Sequence, residues 1–276
     1  MSEKVVETLR LMAVLAHPDD ESLGLGGSLA RYADEGVETY VVTATRGERG
    51  RYFDADPRPP IEVVAKTREA ELRDACKTLG VKEVTFLDYV DKDLDRARPE
   101  EAIGKIVAQL RRVKPHVVVT FGPEGGYGHT DHIAISQFAL SACIAAANPA
   151  YMTNGSAPTN GVHAVSKMYY MAWPESVWRA YQAAFKTLIF KADGIERQTQ
   201  PWPDWALTTK VDTMKYWQTV WRAVQCHKTQ LTIYNKLGDL DEAYHKDLWG
   251  TQHFYRVFST VNGGREVETD LFEGLR

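Results

Sequence analysis

The fold is decided by residues 11–21, LMAVLAHPDDE, in which an apolar run is followed at once by the polar cluster HPDDE at 17–21. A second apolar run, VVVTF at 117–121, precedes the cluster HTDH at 129–132. Short apolar runs without polar alternation are typical of strands buried in a parallel sheet. The sequence therefore predicts two buried strands, each leading into a loop rich in imidazole and carboxylate groups.

Strand-like and helix-like segments alternate from residue 11 to about residue 147. Apolar runs predict four strands, at 11–16, 37–45, 81–88 and 116–122. Helical periodicity predicts four helices that alternate with them, at 22–35, 62–79, 99–112 and 131–147. Parallel strands joined by right-handed crossovers follow, so we predict an α/β, Rossmann-like, doubly wound and mostly parallel sheet.

The order of the strands decides whether the two polar clusters meet. In the common order 3-2-1-4, the first and fourth strands are neighbours, and the chain reverses direction between them. A crevice then opens at the carboxyl ends of these two strands. Both polar clusters would face that crevice, so we expect one shared site.

The second half of the chain has weaker signals. Residues 1–147 are predicted to form the catalytic core, and residues 148–276 a C-terminal α+β extension that packs on the same domain and covers the cleft. Within the extension we predict a loop at 148–161, strands at 164–173 and 208–212, and helices at 174–190 and 213–230. All seven tryptophans lie here. Most are predicted to be core, whereas the loop at 202–205 is predicted to line the cleft.

Charge and composition indicate which partners, substrates and cellular compartments are expected. The net charge of −4 argues against a nucleic-acid partner and favours a small polar substrate. Three widely spaced cysteines suggest free thiols in a reducing cytoplasm. The apolar run near the N-terminus is too short for a signal peptide or a membrane span. The sequence leaves open whether the protein forms a homo-oligomer.

Two histidines and one carboxylate form a ligand set typical of catalytic zinc, with a position left for water. A hydrolytic site also needs an unligated carboxylate or imidazole that moves protons. The adjacent Asp19 and Asp20 suit this division, one as a ligand and the other as a general base. Their spacing does not decide which does which.

The clusters HPDDE at 17–21 and GHTDH at 128–132 together resemble the LmbE-like, or PIG-L, family of zinc-dependent N-acetylglucosaminyl deacetylases. The family includes deacetylases and amidases of mycothiol and bacillithiol metabolism. The resemblance covers about residues 11–140 well and the remainder loosely. It implies a metal-dependent hydrolase that removes an acyl group, with acetyl expected, from the amide nitrogen of an N-acetylated aminosugar or related glycoconjugate.

The resemblance also implies roles for individual residues, by their positions in the two motifs. It implies one Zn²⁺ per chain, with another divalent transition metal such as Fe²⁺ as the alternative. The implied metal ligands are His17, Asp20 and His132. Asp19 would be the general base, and His129 an imidazolium that stabilises the oxyanion or protonates the leaving amine.

Further positions have implied roles around this centre. Asp131 would orient an imidazole, and Tyr127 would lie near the scissile carbonyl. Arg68, Glu48 and Asp91 would bind the sugar. For Arg68 a solvated helix face is an equally good interpretation, and for Asp91 a polar loop is the better one. His227 lies in an element resembling H-x-[ST]-Q, where a hydrogen-bonded helix histidine is the alternative to a site residue.

Four other functions were weighed. A mycothiol-conjugate type of amidase would use the same fold. A metal-dependent phosphoesterase could use Arg46, Arg49 and Arg51 as a phosphate clamp. A nucleotide-binding oxidoreductase is disfavoured, because Leu29 replaces the last glycine of G-x-G-x-x-G and acidic residues precede it. A non-catalytic binding module would not need Asp19 and His129 together.

Overall fold

The computed structural model describes residues 8–152, 160–185, 190–192, 194–198 and 200–276. Its N-terminal strands are β1 (Arg10–Leu15), β2 (Glu38–Thr45), β3 (Glu83–Tyr89) and β4 (Val117–Phe121). The helices that alternate with them are α1 (Asp20–Asp34), α2 (Ile61–Thr78), α3 (Pro99–Val113), the single turn α4 (Gly125–Gly128) and α5 (Thr130–Ala146). The predicted strands and helices are confirmed to within a few residues, and α4 is an additional turn.

The C-terminal part adds further elements. Its strands are β5 (Lys167–Met171), β6 (Phe190–Ala192), β7 (Ile195–Arg197), β8 (Thr209–Asp212) and β9 (Thr251–Ser259). Its helices are α6 (Glu175–Phe185), α7 (Trp217–Cys226), α8 (Leu231–Gly238) and α9 (Glu242–Trp249). Short 3-10 turns occupy 94–96, 204–206, 214–216 and 228–230. The predicted helix at 213–230 is therefore too long, and the sequence prediction missed β9, α8 and α9.

Seven strands form one sheet in the order β3-β2-β1-β4-β5-β9-β8. The pairs from β3 to β5 are parallel, whereas β9 runs antiparallel to both β5 and β8. The predicted α/β class and the reversal between β1 and β4 are confirmed. Strands from both halves of the chain thus join a single sheet, with β1 and β4 near its centre and buried along almost their whole length.

Helix α1 packs unusually close to the C-terminal elements because it is rich in glycine. A Cβ atom on Gly27 would lie 2.7 Å from the Cβ of Thr213, and one on Gly24 would lie 2.8 Å from the Sδ of Met171. Contacts that short do not occur in folded proteins, so a larger residue would push the helix away. The glycines that suggested a nucleotide site therefore serve helix packing.

The tryptophans of the second half are mostly core, as predicted. Trp178 and Trp249 are buried, and Trp173, Trp217 and Trp221 are partly buried and pack against the apolar cluster that contains Trp249. Trp205 differs, since 88% of its surface is exposed.

All three cysteines are free thiols, and two of them are buried. Among the described residues, no helix combines the length and apolar character that crossing a membrane requires.

Candidate active site

Two loops meet at the carboxyl ends of β1 and β4. Residues 16–19 connect β1 to α1, and residues 122–129 connect β4 to α5. Because β1 and β4 are paired in parallel, their ends lie at the same edge of the sheet. The Nδ1 atom of His17 consequently lies 3.1 Å from the Nε2 atom of His132, across 115 positions of sequence.

The other nitrogen of each of these imidazoles faces an acceptor. His17 Nε2 lies 3.0 Å from Asp131 Oδ2 and 3.2 Å from Asp91 Oδ1, and His132 Nδ1 lies 3.2 Å from the carbonyl oxygen of Gly125. Carboxylates and carbonyls can only accept, so these nitrogens carry the protons. In the neutral rings, the lone pairs therefore lie on His17 Nδ1 and His132 Nε2, the two atoms that face each other.

The carboxylate of Asp20 completes this cluster. Its Oδ2 accepts hydrogen bonds from the backbone N–H groups of Ala16 and His17, at 3.1 and 2.8 Å. Asp20 Oδ1 lies 3.4 Å from His132 Nε2, and Oδ2 lies 3.9 Å from His17 Nδ1. Burial raises the pKa of Asp20, but the imidazoles of His132 and His17 lower it below its usual value. When both imidazoles are neutral, their two lone pairs and the Asp20 carboxylate surround one buried point, which is a donor set that suits a divalent cation.

His129 also lies close to this point, because nitrogens of His17, His129 and His132 approach within 4.8 Å of one another. Its Nδ1, however, accepts a hydrogen bond from the backbone N–H of Asp131 at 3.2 Å. The neutral ring must then carry its proton on Nε2, which makes Nε2 a donor and not a ligand. Burial and the neighbouring imidazoles lower the pKa of His129 well below its usual value. The lowered pKa favours a neutral imidazole in the metal-free protein, and the predicted role of His129 as an imidazolium stays a prediction.

Asp19 has a strained backbone, with a φ of 108° at the N-cap of α1. Such a conformation costs a non-glycine residue about 1–3 kcal/mol and is kept only when neighbours impose it. Its N–H donates to Glu21 Oε2 at 3.0 Å, and its Oδ2 accepts from Arg68 Nη2 at 3.0 Å. The Asp19 side chain remains 15% exposed, compared with 7% for Asp20. Asp19 is thus the more accessible of the two adjacent carboxylates.

Arg68 is buried, which corrects the interpretation of a solvated helix face. Only 3% of its surface is exposed, and besides Asp19 its guanidinium contacts the carbonyls of Pro18 and Gly47, at 2.5 and 2.7 Å. Its observed contacts are therefore with the loops that form the site. The predicted contact of Arg68 with substrate hydroxyls stays a prediction.

Glu48 and Asp91 are also buried and hold the same loops together. Glu48 Oε1 accepts from the N–H of Asp91 at 3.1 Å, and Asp91 Oδ2 accepts from the N–H of Arg49 at 3.2 Å. Burial raises the pKa of Asp91, but His17 and Arg68 lower it far below its usual range. Asp91 thus lies in a polar loop, as the sequence favoured, but it is buried there as an ionised partner of the His17 imidazole.

Asp131 is fully buried at the start of α5. Besides contacting His17, the Asp131 carboxylate accepts hydrogen bonds from the backbone N–H groups of Lys92 at 2.7 Å and Leu94 at 3.2 Å. These bonds fix its carboxylate against the imidazole, which is the geometry that the predicted orienting role requires.

Tyr127 projects from the turn α4, which depends on glycine. Gly125 has a φ of 68°, and a Cβ atom there would lie 2.7 Å from Cγ1 of Ile133. The ring of Tyr127 stands nearly perpendicular to those of His132 and His129, with centroid separations of 5.5 and 6.0 Å. Burial and the nearby carboxylates raise the pKa of its hydroxyl, so this group keeps its proton and can donate. On the loop predicted to line the cleft, Trp202 donates to Glu124, next to this turn, at 2.9 Å.

A fully buried pair, Glu21 and His227, lies behind Asp19. His227 Nε2 and Glu21 Oε1 are 2.8 Å apart, and the other oxygen of Glu21 accepts from the N–H of Asp19. Two residues further along, Thr229 donates twice to Glu71, at 2.8 and 2.7 Å. Glu21 has no predicted role, although its carboxylate stands in the first turn of a helix that begins at the site, and such a position is a signal of function.

Comparisons with known proteins identify sequences that are similar to this chain. The sequence model of the family described as PIG-L, GlcNAc-PI de-N-acetylase, matches residues 12–143. A 1D-myo-inositol 2-acetamido-2-deoxy-alpha-D-glucopyranoside deacetylase from Geodermatophilus obscurus is 32% identical over 295 residues, which cover 96% of this chain and 98% of the relative. The enzyme of that name from Kineococcus radiotolerans is 32% identical over 323 residues, covering 99% and 85%.

Solved structures share the fold at lower identity. N,N'-diacetylchitobiose deacetylase from Pyrococcus horikoshii superposes with a TM-score of 0.67 at 19% identity, covering 91% of this chain and 84% of that one. The 4-carboxy-2-hydroxymuconate hydratase GalB from Pseudomonas putida gives 0.65 at 19% identity, covering 93% and 99%. One fold therefore carries different reactions, so the residues of the site must decide the chemistry.

Proposed function

Because this chain belongs to the PIG-L family of GlcNAc-PI de-N-acetylases, we propose that it hydrolyses the acetamide of an N-acetylated aminosugar to acetate and a free amine. The observation that carries the proposal is the convergence of His17, Asp20 and His132 beside the accessible carboxylate of Asp19. The deacetylase names of relatives that match the chain almost from end to end support it.

The proposed metal is one zinc ion per chain, held by His17 Nδ1, Asp20 and His132 Nε2. Fe²⁺ is the alternative, because imidazole and carboxylate ligands suit both ions. When bound, zinc supplies Lewis-acid chemistry that polarises a carbonyl group and activates water. Asp131 and Asp91 position the ligand His17 through its Nε2 proton, and the Gly125 carbonyl does the same for His132.

Asp19 is the proposed general base. Arg68 fixes its carboxylate by a hydrogen bond, and its exposure exceeds that of the proposed ligand Asp20. Asp19 takes a proton from the attacking water while the water oxygen bonds to the acetamide carbon. It returns that proton to the nitrogen as the C–N bond breaks, and the second proton of the water then passes from the new carboxylic acid to the amine, so acetate and a protonated amine leave.

The developing oxyanion needs hydrogen-bond donors. The neutral His129 ring offers its Nε2 proton, because its Nδ1 is engaged by the N–H of Asp131. The Tyr127 hydroxyl, which keeps its proton, is the second proposed donor. Preorganised donors of this kind are worth about 10²–10³ in rate each.

The phosphoesterase alternative would use Arg46, Arg49 and Arg51 to bind a phosphate. The observed contacts of two of these arginines weaken it. Arg46 pairs with Glu69 at 2.6 Å and Asp88 at 2.5 Å, and Arg49 pairs with Asp93 at 2.7 Å. Two of the three arginines are therefore already neutralised. An amidase that acts on a glycoconjugate amide remains the related alternative, because it would use the same atoms. We further propose a cytoplasmic enzyme, on the basis of its free cysteines.

The test is a panel of N-acetylated aminosugars incubated with chelator-stripped and zinc-reloaded protein, with released amine and acetate both quantified. We expect activity only after reloading. Asp19→Asn should retain the metal and lose about 10²–10⁴-fold in kcat, whereas Asp74→Asn on exposed α2 should behave as wild type. Equal activity of the stripped and reloaded protein would reject the proposal. Loss of zinc by Asp19→Asn, with normal activity per metal, would exchange the roles of Asp19 and Asp20.

A further inference from the structure

The buried pair of Glu21 and His227 has no part in the proposed reaction, although it lies directly behind Asp19. Both side chains are 0% exposed. Glu21 stands in the first turn of α1, whereas His227 follows α7 in the C-terminal extension, 206 positions later. The pair therefore connects the second half of the chain to the segment that carries the proposed general base.

The pair contacts the backbone of Asp19. One oxygen of Glu21 accepts a hydrogen bond from the N–H of Asp19 at 3.0 Å, and the other lies 2.8 Å from Nε2 of His227. A carboxylate can only accept, so Nε2 carries the proton of this contact. The Ser22 hydroxyl donates to the same oxygen at 2.5 Å. Two donors thus fix one oxygen of Glu21, while the other oxygen holds the Asp19 backbone.

This hydrogen bond matters because the backbone of Asp19 is strained. Its φ of 108° lies in the left-handed region, which a residue with a side chain keeps only where its neighbours impose it. Arg68 holds the carboxylate of Asp19, and Glu21 holds its N–H. The two contacts fix different ends of the residue, and together they determine where the proposed base points.

The His227 imidazole is only partly satisfied. Its Nδ1 atom is buried and has no hydrogen-bond partner among the described residues. Buried polar atoms are nearly always paired, because an unpaired one destabilises the fold. The polar contacts described for the ring are made by Nε2, with Glu21 and with the Ser22 hydroxyl 3.5 Å away. An apolar side chain of similar size would avoid the unpaired nitrogen but could not hold Glu21.

The residues that follow His227 fix it in place. The hydroxyl of Thr229 donates to Glu71 of α2 at 2.7 Å. The amide of Gln230 donates to the carbonyl of Arg51, in the loop after β2, at 2.8 Å. The imidazole is therefore held by contacts outside the pair, and it can in turn hold Glu21.

We propose that Glu21 and His227 are positioning residues for Asp19, and that the C-terminal extension thereby completes the active site. His227 holds the Glu21 carboxylate, and Glu21 holds the backbone that directs the Asp19 side chain. The inference rests on the proposed deacetylase function, because Asp19 is the base of that reaction. A pair that only stabilised the fold would affect the melting temperature but not the kcat of the folded enzyme.

The kinetic test measures release of acetate from the methyl glycoside of N-acetylglucosamine by zinc-loaded variants. We expect His227→Leu to lower kcat about 10–100-fold, with the KM and zinc content of wild type, because a displaced base slows the chemical step. His227→Gln can still donate to Glu21, so it should recover most of the lost kcat. The matched control is His245→Leu, which removes another buried histidine of the extension and should keep the kcat of wild type. Equal kcat values for His227→Leu and His245→Leu would overturn the proposal.

A double variant keeps the test decisive if His227→Leu does not fold. Glu21→Leu/His227→Leu leaves no unpaired carboxylate in the interior. Its kcat should equal that of Glu21→Leu alone, because His227 acts only through Glu21. A further loss of kcat on removal of His227 in this background would contradict the proposed chain of contacts.

Amide exchange separates this inference from the proposed function, because it needs no turnover. In the metal-free protein, NMR should detect exchange of the Asp19 N–H about tenfold faster in His227→Leu than in wild type, and unchanged in His245→Leu. Faster exchange supports the pair even if wild type deacetylates no sugar. Unchanged exchange would overturn it, even if wild type is an active deacetylase.

Discussion

The Nη2 atom of Arg68 donates a hydrogen bond to Oδ2 of Asp19 at 3.0 Å, at a residue whose φ is 108°. The same guanidinium holds the carbonyls of Pro18 and Gly47, so one buried side chain joins the loop after β1 to the loop after β2 beside the proposed general base. We therefore expect Arg68 to act as a positioning residue, because its contacts hold the strained backbone that directs the Asp19 carboxylate.

Replacement of Arg68 by lysine keeps the positive charge but loses the planar guanidinium, whose N–H groups donate to several acceptors at once. We expect kcat to fall about 10–100-fold, because small displacements of a catalytic group have large effects on rate. The control is Arg73→Lys on the same helix, whose arginine is half exposed, forms an ion pair with Glu69 and lies over the ring of Phe86. If Arg68→Lys and Arg73→Lys both keep the kcat of wild type, Arg68 does not position Asp19.

The Asp131→Asn variant tests the carboxylate that orients His17. It should bind zinc about 10–100-fold more weakly, since loss of a partner that orients a ligand has this typical cost. The measurement is zinc competition against a chromogenic chelator. Asp95→Asn, an exposed acid in the adjacent turn, should keep the affinity of wild type. Undiminished affinity in Asp131→Asn would mean that His17 needs no such partner.

The glycine turn that presents Tyr127 is tested by Gly125→Ala. An alanine there has an unfavourable φ and a Cβ only 2.7 Å from Ile133, and it would displace the carbonyl that holds His132. We expect a melting temperature several degrees lower and activity reduced more than about tenfold.

Gly104→Ala in α3 is the matched control for Gly125→Ala. A Cβ atom at Gly104 meets nothing within 4 Å among the described residues. This variant should be stabilised by about 0.5–1 kcal/mol. Equal effects of the two substitutions would show that the turn has no special geometry.

A buried ion pair of the C-terminal extension gives a pH prediction. Lys167 Nζ lies 2.6 Å from Glu268 Oε1, and both side chains are buried. Burial raises the pKa of Glu268, but Lys167 and neighbouring donors lower it to about 2, from 4.5 in a solvated glutamate. Because its folded pKa is depressed, Glu268 stabilises the protein above pH 4.5, and that contribution disappears as the pH falls toward 2.

The measurement is thermal unfolding of metal-free wild type and Glu268→Gln at pH 7 and pH 3. The difference in melting temperature between them should be large at pH 7 and smaller at pH 3. Glu266→Gln, at an exposed position of the same segment, should melt like wild type at both pH values. A difference that does not change with pH would show that the charge of Glu268 is not responsible.

Much of the core was predictable because its signals are local. The apolar runs at 11–16 and 117–121 are fully buried central strands, and their polar clusters lie at the strand ends. Strand β9 was missed because it lies toward the antiparallel edge of the sheet. Its polar residues, such as Gln252 and Arg256, weaken the apolar pattern of a strand.

The partners within the site were harder to predict. Glu21 and His227 are 206 positions apart, and no local pattern joins them. Arg68 occurs in a polar helical stretch, so the sequence left a solvated helix face and a site residue as equally good interpretations. It is buried because Asp19 and two loop carbonyls satisfy its donors, and these tertiary contacts are not visible in the spacing of α2.

Anomalous diffraction at the zinc edge from crystals of the zinc-loaded protein tests the central claim most directly. We predict one zinc ion per chain, bonded to His17 Nδ1, Asp20 and His132 Nε2 at about 2.0–2.2 Å, with His129 unbonded. An ion bonded to His129 in place of Asp20, or one bound by His17 Nε2, Asp91 and Asp131, would contradict the account.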